Sequence, residues 1–262
     1  MSYKRFDEQD VVVSAESVTA PVWSGDVTTL TTFFTSSTQI GGTSADYYYD
    51  IYQTGSGLDT ARVQFSIAYA DKLGSGSLYF NSAVTASSPS STIYGQYRNL
   101  VLGDEESDFT FGNITSEHFY AISVDRARYK EALLPGTMTL KLHVSSSGEE
   151  ITLTDNSQIV TTTTFTDAGR VFELVSGSAG TVYTGLETNG YSANSGSFGK
   201  LLPDIGVLLI NGNALDAPAI SGGLALSTNR SANTAGANPG KLYDLLTLSG
   251  SFRLQSEETI TS

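Results

Sequence analysis

The stretch "ARVQFSIAYAD" (residues 61–71) shows how this chain is built. Apolar residues take every second position and alternate with polar or small ones: Val63, Phe65, Ile67 and Tyr69 against Arg62, Gln64, Ser66 and Ala68. In a β-strand, successive side chains point to opposite faces, so a period of two is typical of a half-buried strand. The stretch therefore predicts a strand with one face in a core.

Comparable segments lie on both sides of this stretch, with turn residues between them. We predict strands in "DYYYDIYQT" (46–54), "SLYFNSAVT" (77–85), "STIYGQYRNLVLG" (91–103), "DFTFGN" (108–113), "FYAISV" (119–124), "TMTLKLHV" (137–144), "GRVFELVSG" (169–177) and "IGVLLIN" (205–211). A further strand is expected between residues 28 and 35, and a strand pair in "ITLTDNSQIVTTTTFTD" (151–167). Strands in nearly every part of the chain predict a fold made mainly of β-sheet.

The fold class that we predict is mainly β, with antiparallel sandwich- or barrel-like sheets, one or two short helices and extended arms. The length fits one large all-β domain or two smaller ones. We expect an extended arm and first strand in residues 1–45, a β domain in 46–165 and a smaller β-rich domain with a long loop in 166–262. The second boundary, near residues 165–170, is not marked by a linker.

Two segments predict helices. Asp125 can cap a short helix over "RARYKEALL" (126–134), because a carboxylate accepts hydrogen bonds from the exposed amides of a first turn. Pro135 and Gly136 would end that helix. The segment "KLYDLLTLSGSFRLQSEETITS" (241–262) is typical of a short helix followed by a closing strand.

Charge and cysteine content exclude several classes of function. The formal net charge is −13, which argues against nucleic-acid binding and against docking on an anionic membrane. The chain has no cysteine, so disulfides and thiolate metal sites are impossible. Neither a signal-peptide core nor a run of ~20 apolar residues is present. We expect a soluble protein made in the cytoplasm without Sec export.

Candidate chemistry is sparse. His118 and His143 are not spaced as metal ligands, and surface or hydrogen-bonded histidines are the default interpretation. The acidic loop "GDEESDF" (103–109) could hold calcium through its oxygens or supply paired acids for glycoside hydrolysis, although such loops are usually only solvated. We therefore assign no catalytic residue, no cofactor and no metal ligand.

Candidate interface residues are Trp23, Arg126, Arg128, Tyr129 and Lys130. The only tryptophan either packs on the core or contacts a partner. On a helix, Arg126 and Lys130 would share one face and repel each other, so an acidic group is expected opposite them. Internal salt bridges, a docking face between subunits and an anion site remain open for this cluster.

Four stretches together resemble virion structural proteins, of the tail or baseplate, from T4-like myoviruses, especially those that infect cyanobacteria. They are "DVVVSAESVTAPVWS" (10–24), "SSPSSTIYGQYRNLVLGDEESDFTFG" (87–112), "FYAISVDRARYKEALLPGTMTLKL" (119–142) and "GSFGKLLPDIGVLLINGNAL" (196–215). The resemblance implies a component of a contractile-tail particle, with the baseplate as the favoured position. It carries no catalytic residue over to this chain.

The resulting expectation is a structural, non-enzymatic protein of the virion, with other virion proteins and copies of itself as partners. One alternative is a glycan-binding adhesin, with Tyr47, Tyr48, Tyr49, Tyr94 and Tyr97 as stacking platforms. Another is a capsid decoration protein. A hydrolase that uses the loop at residues 104–108 is the last alternative.

Overall fold

The computed structural model describes residues 15–36, 47–77, 87–144, 146–183, 191–192, 196–231 and 233–261. Strands make up 38% of the structure and helices 19%, so the prediction of a mainly β fold is confirmed. The strands are β1 (Ala15–Pro21), β2 (Thr29–Leu30), β3 (Tyr48–Tyr52), β4 (Val63–Asp71), β5 (Thr110–Phe111), β6 (Ile114–Thr115), β7 (His118–Val124), β8 (Ala132–Leu133), β9 (Thr139–His143), β10 (Glu150–Asp155), β11 (Thr164–Thr166), β12 (Gly169–Ser178), β13 (Thr181–Val182), β14 (Tyr191–Ser192), β15 (Gly196–Ser197), β16 (Gly199–Leu202), β17 (Val207–Asn211), β18 (Ser251–Arg253) and β19 (Gln255–Thr261). The α-helices are α1 (Ser90–Leu102), α2 (Gly212–Asp216) and α3 (Asn238–Thr247).

One twelve-stranded antiparallel sheet forms most of the structure. Its strand order is β2-β18-β9-β10-β12-β16-β17-β7-β4-β3, and β11 and β13 also pair with β12. A bridge between Phe34 and Tyr52 links the segment after β2 to the edge strand β3. The sheet is therefore curled into a half-barrel whose first and last strands approach each other.

The concave face of the sheet holds the larger core. Phe65 on β4 and Phe252 on β18 come from opposite ends of the strand order, yet their ring centroids are 5.5 Å apart. The helix α3 contributes Leu242, Leu245 and Leu246 to this core. Burial of these apolar side chains on folding favours the curled sheet over a flat one.

The convex face carries a second core under α1. The helix buries Ile93, Tyr94 and Val101 against Phe119 of β7 and Leu209 of β17. Neighbouring residues of the same strands, such as Tyr120 and Leu208, face the concave core instead. Both faces of these central strands are covered, which explains the apolar run at residues 207–210 of β17.

The helix α1 contradicts our prediction of a strand in residues 91–103. Its apolar residues Ile93, Tyr94, Tyr97 and Val101 follow helical spacing. Gly103, with φ at 70°, ends the helix in the left-handed conformation that favours glycine. The tyrosines and β-branched residues led the sequence interpretation towards a strand.

The predicted helix over residues 126–134 is also wrong, apart from its cap. Asp125 accepts a hydrogen bond from the Ala127 amide, but the helix is a single 3₁₀ turn at Arg126–Arg128. The following residues are extended as β8, because the Gln255 and Glu257 carbonyls of β19 accept the amides of Leu134 and Glu131. Tertiary pairing outweighs a modest helix propensity here.

Other predicted segments are placed as follows. The boundary near residues 165–170 falls in the turn between the paired strands β11 and β12, inside the large sheet. The strand expected between residues 28 and 35 is limited to β2 and the Phe34 bridge. Of the strand expected at 77–85, only the first residue is described. Residues 1–14 and 37–45 of the predicted arm also lie outside the described residues, as does residue 46 at the start of the next predicted strand. None of the helices in the described ranges has the length and apolar character needed to cross a membrane.

Candidate functional site: the terminal ribbon and the basic turn

The strands nearest the two ends of the chain pair with each other. β1 and β19 are antiparallel over seven residues, from Ala15 opposite Thr261 to Pro21 opposite Gln255. We call this pair the terminal ribbon. β8 pairs with β19 only at Ser256 and Glu257, which completes a three-stranded sheet at the base of the ribbon.

The base of the ribbon is fixed to the concave core by Trp23. The ring is 2% exposed, and its centroid lies 5.1 Å from that of Phe252. The indole Nε1 donates a hydrogen bond of 2.7 Å to the Phe252 carbonyl. Of the two roles predicted for Trp23, the structure shows packing on the core.

Gln64 ties the ribbon base to β4. The Ser24 amide donates to Gln64 Oε1 at 2.9 Å, and Gln64 Nε2 donates to Ser24 Oγ at 2.9 Å. Gln64 is fully buried although it lies on the polar side of the strand pattern. Sequence reasoning missed this role, since nothing in the alternation distinguishes Gln64 from a solvated residue.

Residues 125–131, which we call the basic turn, lie beside this base. Arg128 donates to Ser24 Oγ at 2.5 Å, and Lys130 Nζ lies 3.9 Å from a Glu258 carboxylate oxygen. Arg126 donates to the Tyr129 carbonyl and stacks 4.7 Å above the centre of that ring. The structure thus brings the predicted cluster to the base of the terminal ribbon.

The basic turn does not present the single basic helical face that the sequence predicted. Arg126 and Arg128 bond to neutral groups of the same chain, and the Lys130–Glu258 pair is largely exposed. Exposed ion pairs of this kind contribute little to stability. Of the three alternatives, an internal salt bridge describes Lys130, whereas Arg128 hydrogen-bonds to a neutral hydroxyl and the side chain of Arg126 is exposed.

Arg170 forms a second link to the ribbon that sequence reasoning missed. Its guanidinium donates to Asp204 at 2.7 and 2.9 Å and to Glu257 of β19 at 2.5 Å. The hydrogen bond to Asp204 raises the pKa of Arg170. Burial would raise the pKa of Asp204, but hydrogen bonds from Arg170 hold it below its ordinary value. Arg170 and Asp204 therefore stay charged, and the bond from Arg170 to Glu257 links β12 to the ribbon.

A buried polar cluster beside β4 has the residue types of an active site. Asp71 is fully buried and accepts from Arg230, from the Tyr69 hydroxyl at 3.0 Å and from the Leu73 amide at 2.9 Å. His118 Nε2 lies 2.9 Å from Asn213 Oδ1. Arg230 pairs with the buried carboxylate, so this cluster joins the segment around Arg230 to the end of β4.

The acidic loop at residues 103–109 is built as a turn. Asp104 Oδ1 accepts the amides of Glu106 at 2.8 Å and Ser107 at 2.5 Å, and Asp108 pairs with Lys72 at 2.5 Å. Hydrogen bonds from Ser107 lower the pKa of Asp104, whereas a general acid needs a raised one. Within the described ranges, no group of three or more histidine or acidic side chains is placed to hold a metal ion.

The tyrosines proposed as sugar platforms are divided between the core and the surface. Tyr49 and Tyr94 are buried, and Tyr94 packs 5.4 Å from Phe119. Tyr48 is 42% exposed, while Tyr47 and Tyr97 are partly exposed. Buried rings offer no face on which a sugar could stack, so these residues do not form one platform.

Comparison with models of protein families, with curated proteins and with solved structures found no match to this chain.

Proposed function

We propose that this chain is a structural component of a tailed-phage virion, with the contractile tail and its baseplate as the favoured position. In this proposal it acts by protein–protein assembly with other virion proteins and with copies of itself. The resemblance of four stretches to tail and baseplate proteins is the reason for the proposed position in the virion. The terminal ribbon is the observation that supports action by protein–protein assembly.

The terminal ribbon supports assembly because it offers backbone to a partner. Ser17, Val18 and Thr19 are exposed in the middle of β1. Within the described part of the chain, β1 pairs with no strand except β19. An edge strand with unpaired amides and carbonyls is a template for a further strand from another chain.

A second exposed surface supports the same function. Residues 158–166, "QIVTTTTFT", contain no charged side chain, and Ile159 and Phe165 are 61% and 69% exposed. Charged residues make up 16% of the chain, against ~25% in ordinary soluble domains. Uncharged surface of this kind loses little hydration energy when another protein covers it.

The ionisable groups of the interior also favour a structural role. Asp71 pairs with Arg230, and Glu173 accepts hydrogen bonds from Lys200 and Ser197. A catalytic acid or base needs a pKa tuned towards the working pH and access to a substrate. These carboxylates instead join strands and loops.

Quantitative mass spectrometry of purified particles of the phage that encodes the chain tests the proposal. We expect the polypeptide in intact virions and in isolated contractile tails, in a fixed ratio to other tail proteins. If the polypeptide is instead enriched in tail-free heads, at the copy number of the major capsid protein, it is a capsid decoration protein and not a tail protein. Particles without the polypeptide would exclude a structural role in the virion.

A further inference from the structure

The backbone of β1 has one edge bonded to β19 and one edge turned outward. The Gln255 and Glu257 carbonyls of β19 accept hydrogen bonds from the β8 side of the sheet. Because the amide and carbonyl of one extended residue point the same way, Ser256 and Glu258 point towards β1. Their partners in register are Ala20 and Val18.

It follows that the intervening residues of β1 point away from the ribbon. The amides and carbonyls of Ser17 and Thr19 face outward, and neither residue has a backbone partner within the described part of the chain. Pro21, which has no amide, also falls on this outward edge, where a proline is tolerated in a strand. Along β1 the backbone groups therefore alternate: those of Val18 and Ala20 point to β19, and those of Ser17, Thr19 and Pro21 point outward.

Among the residues that the structure describes, none gives this edge the usual protection against pairing. Natural edge strands are guarded by lysines, prolines, bulges or covering segments. In β1 the only charged residue, Glu16, and the only proline, Pro21, lie towards the two ends. The centre is the uncharged and exposed sequence Ser17-Val18-Thr19.

We propose that two copies of this chain associate by antiparallel pairing of their β1 strands, with Val18 of each copy at the twofold axis. In this register Ser17 lies opposite Thr19 of the partner subunit, and both residues point towards the interface. Each such pair exchanges two backbone hydrogen bonds, and the symmetry makes the pair occur twice. The two ribbons become one continuous sheet across the dimer.

The side chains of β1 are compatible with this register. In this register Glu16 is paired with Ala20 of the partner subunit, so the one acidic residue of β1 is not paired with its own copy. The two Glu16 residues are four positions apart along the pair, about 13 Å at the rise of a β-strand. That separation exceeds the screening length of about 8 Å at physiological salt. Pro21 falls opposite Ala15, where its missing amide removes only a terminal hydrogen bond.

The outer edge of β19 fits self-association less well. β8 already covers Ser256 and Glu257, so only the last part of that strand is open. β1 offers its whole length of seven residues. A twofold β1 pair is also closed, whereas pairing β1 of one copy with β19 of the next is head-to-tail.

This inference rests on the proposed function for its purpose, since self-association is one of the contacts that assembly requires. The two can fail separately. Dimerisation is measured on the purified protein, whereas the structural role is measured by the content of virions. If virions contain the protein but the purified protein forms no β1 dimer, the proposed structural role stands and the β1 contact is excluded.

The absence of cysteine in the chain permits a test of the register. At Val18 the two Cα atoms would be about 4.5 Å apart, as in a non-hydrogen-bonded antiparallel pair, which a disulfide can span. At Thr19 they would be about 8 Å apart, beyond the reach of a disulfide. We expect Val18→Cys to oxidise to a covalent dimer and Thr19→Cys to remain monomeric under the same oxidant. Equal cross-linking of both variants would overturn the register.

A proline variant tests the contact without a cross-link. Thr19→Pro removes an outward amide and leaves the pairing of β1 with β19 intact, so we expect the fold to persist and the dimer to be lost. Analytical ultracentrifugation measures the dimer, and circular dichroism measures the fold. In the control, Val18→Pro removes an inward amide and should loosen the ribbon itself. A wild-type protein that stays monomeric, or a Thr19→Pro variant that still dimerises, would overturn the proposal.

Discussion

Arg230 donates two hydrogen bonds of 2.7 Å, one to each carboxylate oxygen of Asp71, across 159 positions of sequence. Asp71 is the last residue of β4, and Arg230 follows the long loop after α2. The Asp71 side chain is fully buried, whereas that of Arg230 is 36% exposed. The pair closes the loop over the end of the sheet and leaves the carboxylate dependent on one cation.

We expect Arg230→Met to lower the free energy of unfolding by roughly 3 kcal/mol, because removal of one partner leaves a buried charge uncompensated. Urea unfolding followed by the fluorescence of Trp23 measures the change. Lys141→Met is the control, since it removes a pair with Glu150 whose side chains are 33% and 49% exposed. That variant should lose less than about 1 kcal/mol. Equal losses in the two variants would show that the Asp71 site is open to water.

Around the Asp71–Arg230 pair, the sequence predicted the strand but not the ion pair. The alternation in residues 61–71 predicted β4 and its buried face, because that pattern depends on one strand and one core. The partner of Asp71 could not be predicted, since any of fourteen basic residues fits the chemistry and only the fold selects one. The same holds for Gln64 and Ser24, whose pairing depends on how the ribbon base is covered.

For the basic turn, the sequence predicted the Asp125 cap correctly but predicted the wrong backbone conformation after it. Asp125 was identified as a cap from its own chemistry, which is local. The helix after it was wrong because the open edge of β19 competes for the amides of Glu131 and Leu134. Local helix propensity cannot predict this pairing, because β19 lies more than a hundred residues further along the chain.

His118 should make stability fall in mildly acidic solution. Burial lowers its pKa and the charge of Arg230 acts in the same direction, while hydrogen bonding to Asn213 and the charges of Asp216 and Asp71 oppose the shift. The folded state therefore binds fewer protons than the unfolded state, whose histidine titrates near about 6.5. Stability is complete above that pH and decreases as the pH falls from there towards the folded pKa.

We expect His118→Gln to flatten this dependence between about pH 7 and pH 5, because glutamine carries no titrating proton there. Urea midpoints at several pH values measure it. Below about pH 4 the variant should lose stability with the wild type, since burial would raise the pKa of Asp71 but hydrogen bonds from Arg230 and the Leu73 amide hold it low. An unchanged profile in His118→Gln would show that another group carries the effect.

Gly206 should tolerate substitution much less than Gly222. Both have positive φ, at 69° and 80°, so an alanine at either position costs about 1–2 kcal/mol in the left-handed conformation. At Gly206 an added Cβ would also stand 2.6 Å from the Tyr129 ring, whereas nothing lies within 4 Å at Gly222. We expect Gly206→Ala to lose a further 1–3 kcal/mol, roughly, through overpacking. Urea unfolding of the two variants measures the difference, and equal losses would mean that the Tyr129 ring moves aside freely.

Trp23→Phe should loosen the terminal ribbon more than it weakens the core. Phenylalanine preserves an apolar ring beside Phe252 but removes the Nε1 donor, so the Phe252 carbonyl loses its indole hydrogen bond while Phe252 stays paired with Leu30 of β2. The loss of one such hydrogen bond costs about 0.5–1.5 kcal/mol. Because β1 leaves the core next to Trp23, we expect faster hydrogen exchange at the inward amides of Val18 and Ala20.

The matched control for Trp23→Phe is Phe33→Leu, which trims a buried ring that packs 6.3 Å from Phe65. This change removes apolar contact with no polar group left unpaired, and it lies outside the ribbon base. If both variants lose similar global stability, measured by circular dichroism in urea, the ribbon amides should exchange faster only in Trp23→Phe. Equal exchange at Val18 in the two variants would show that the ribbon opens with the whole core and is not held by the Trp23 hydrogen bond.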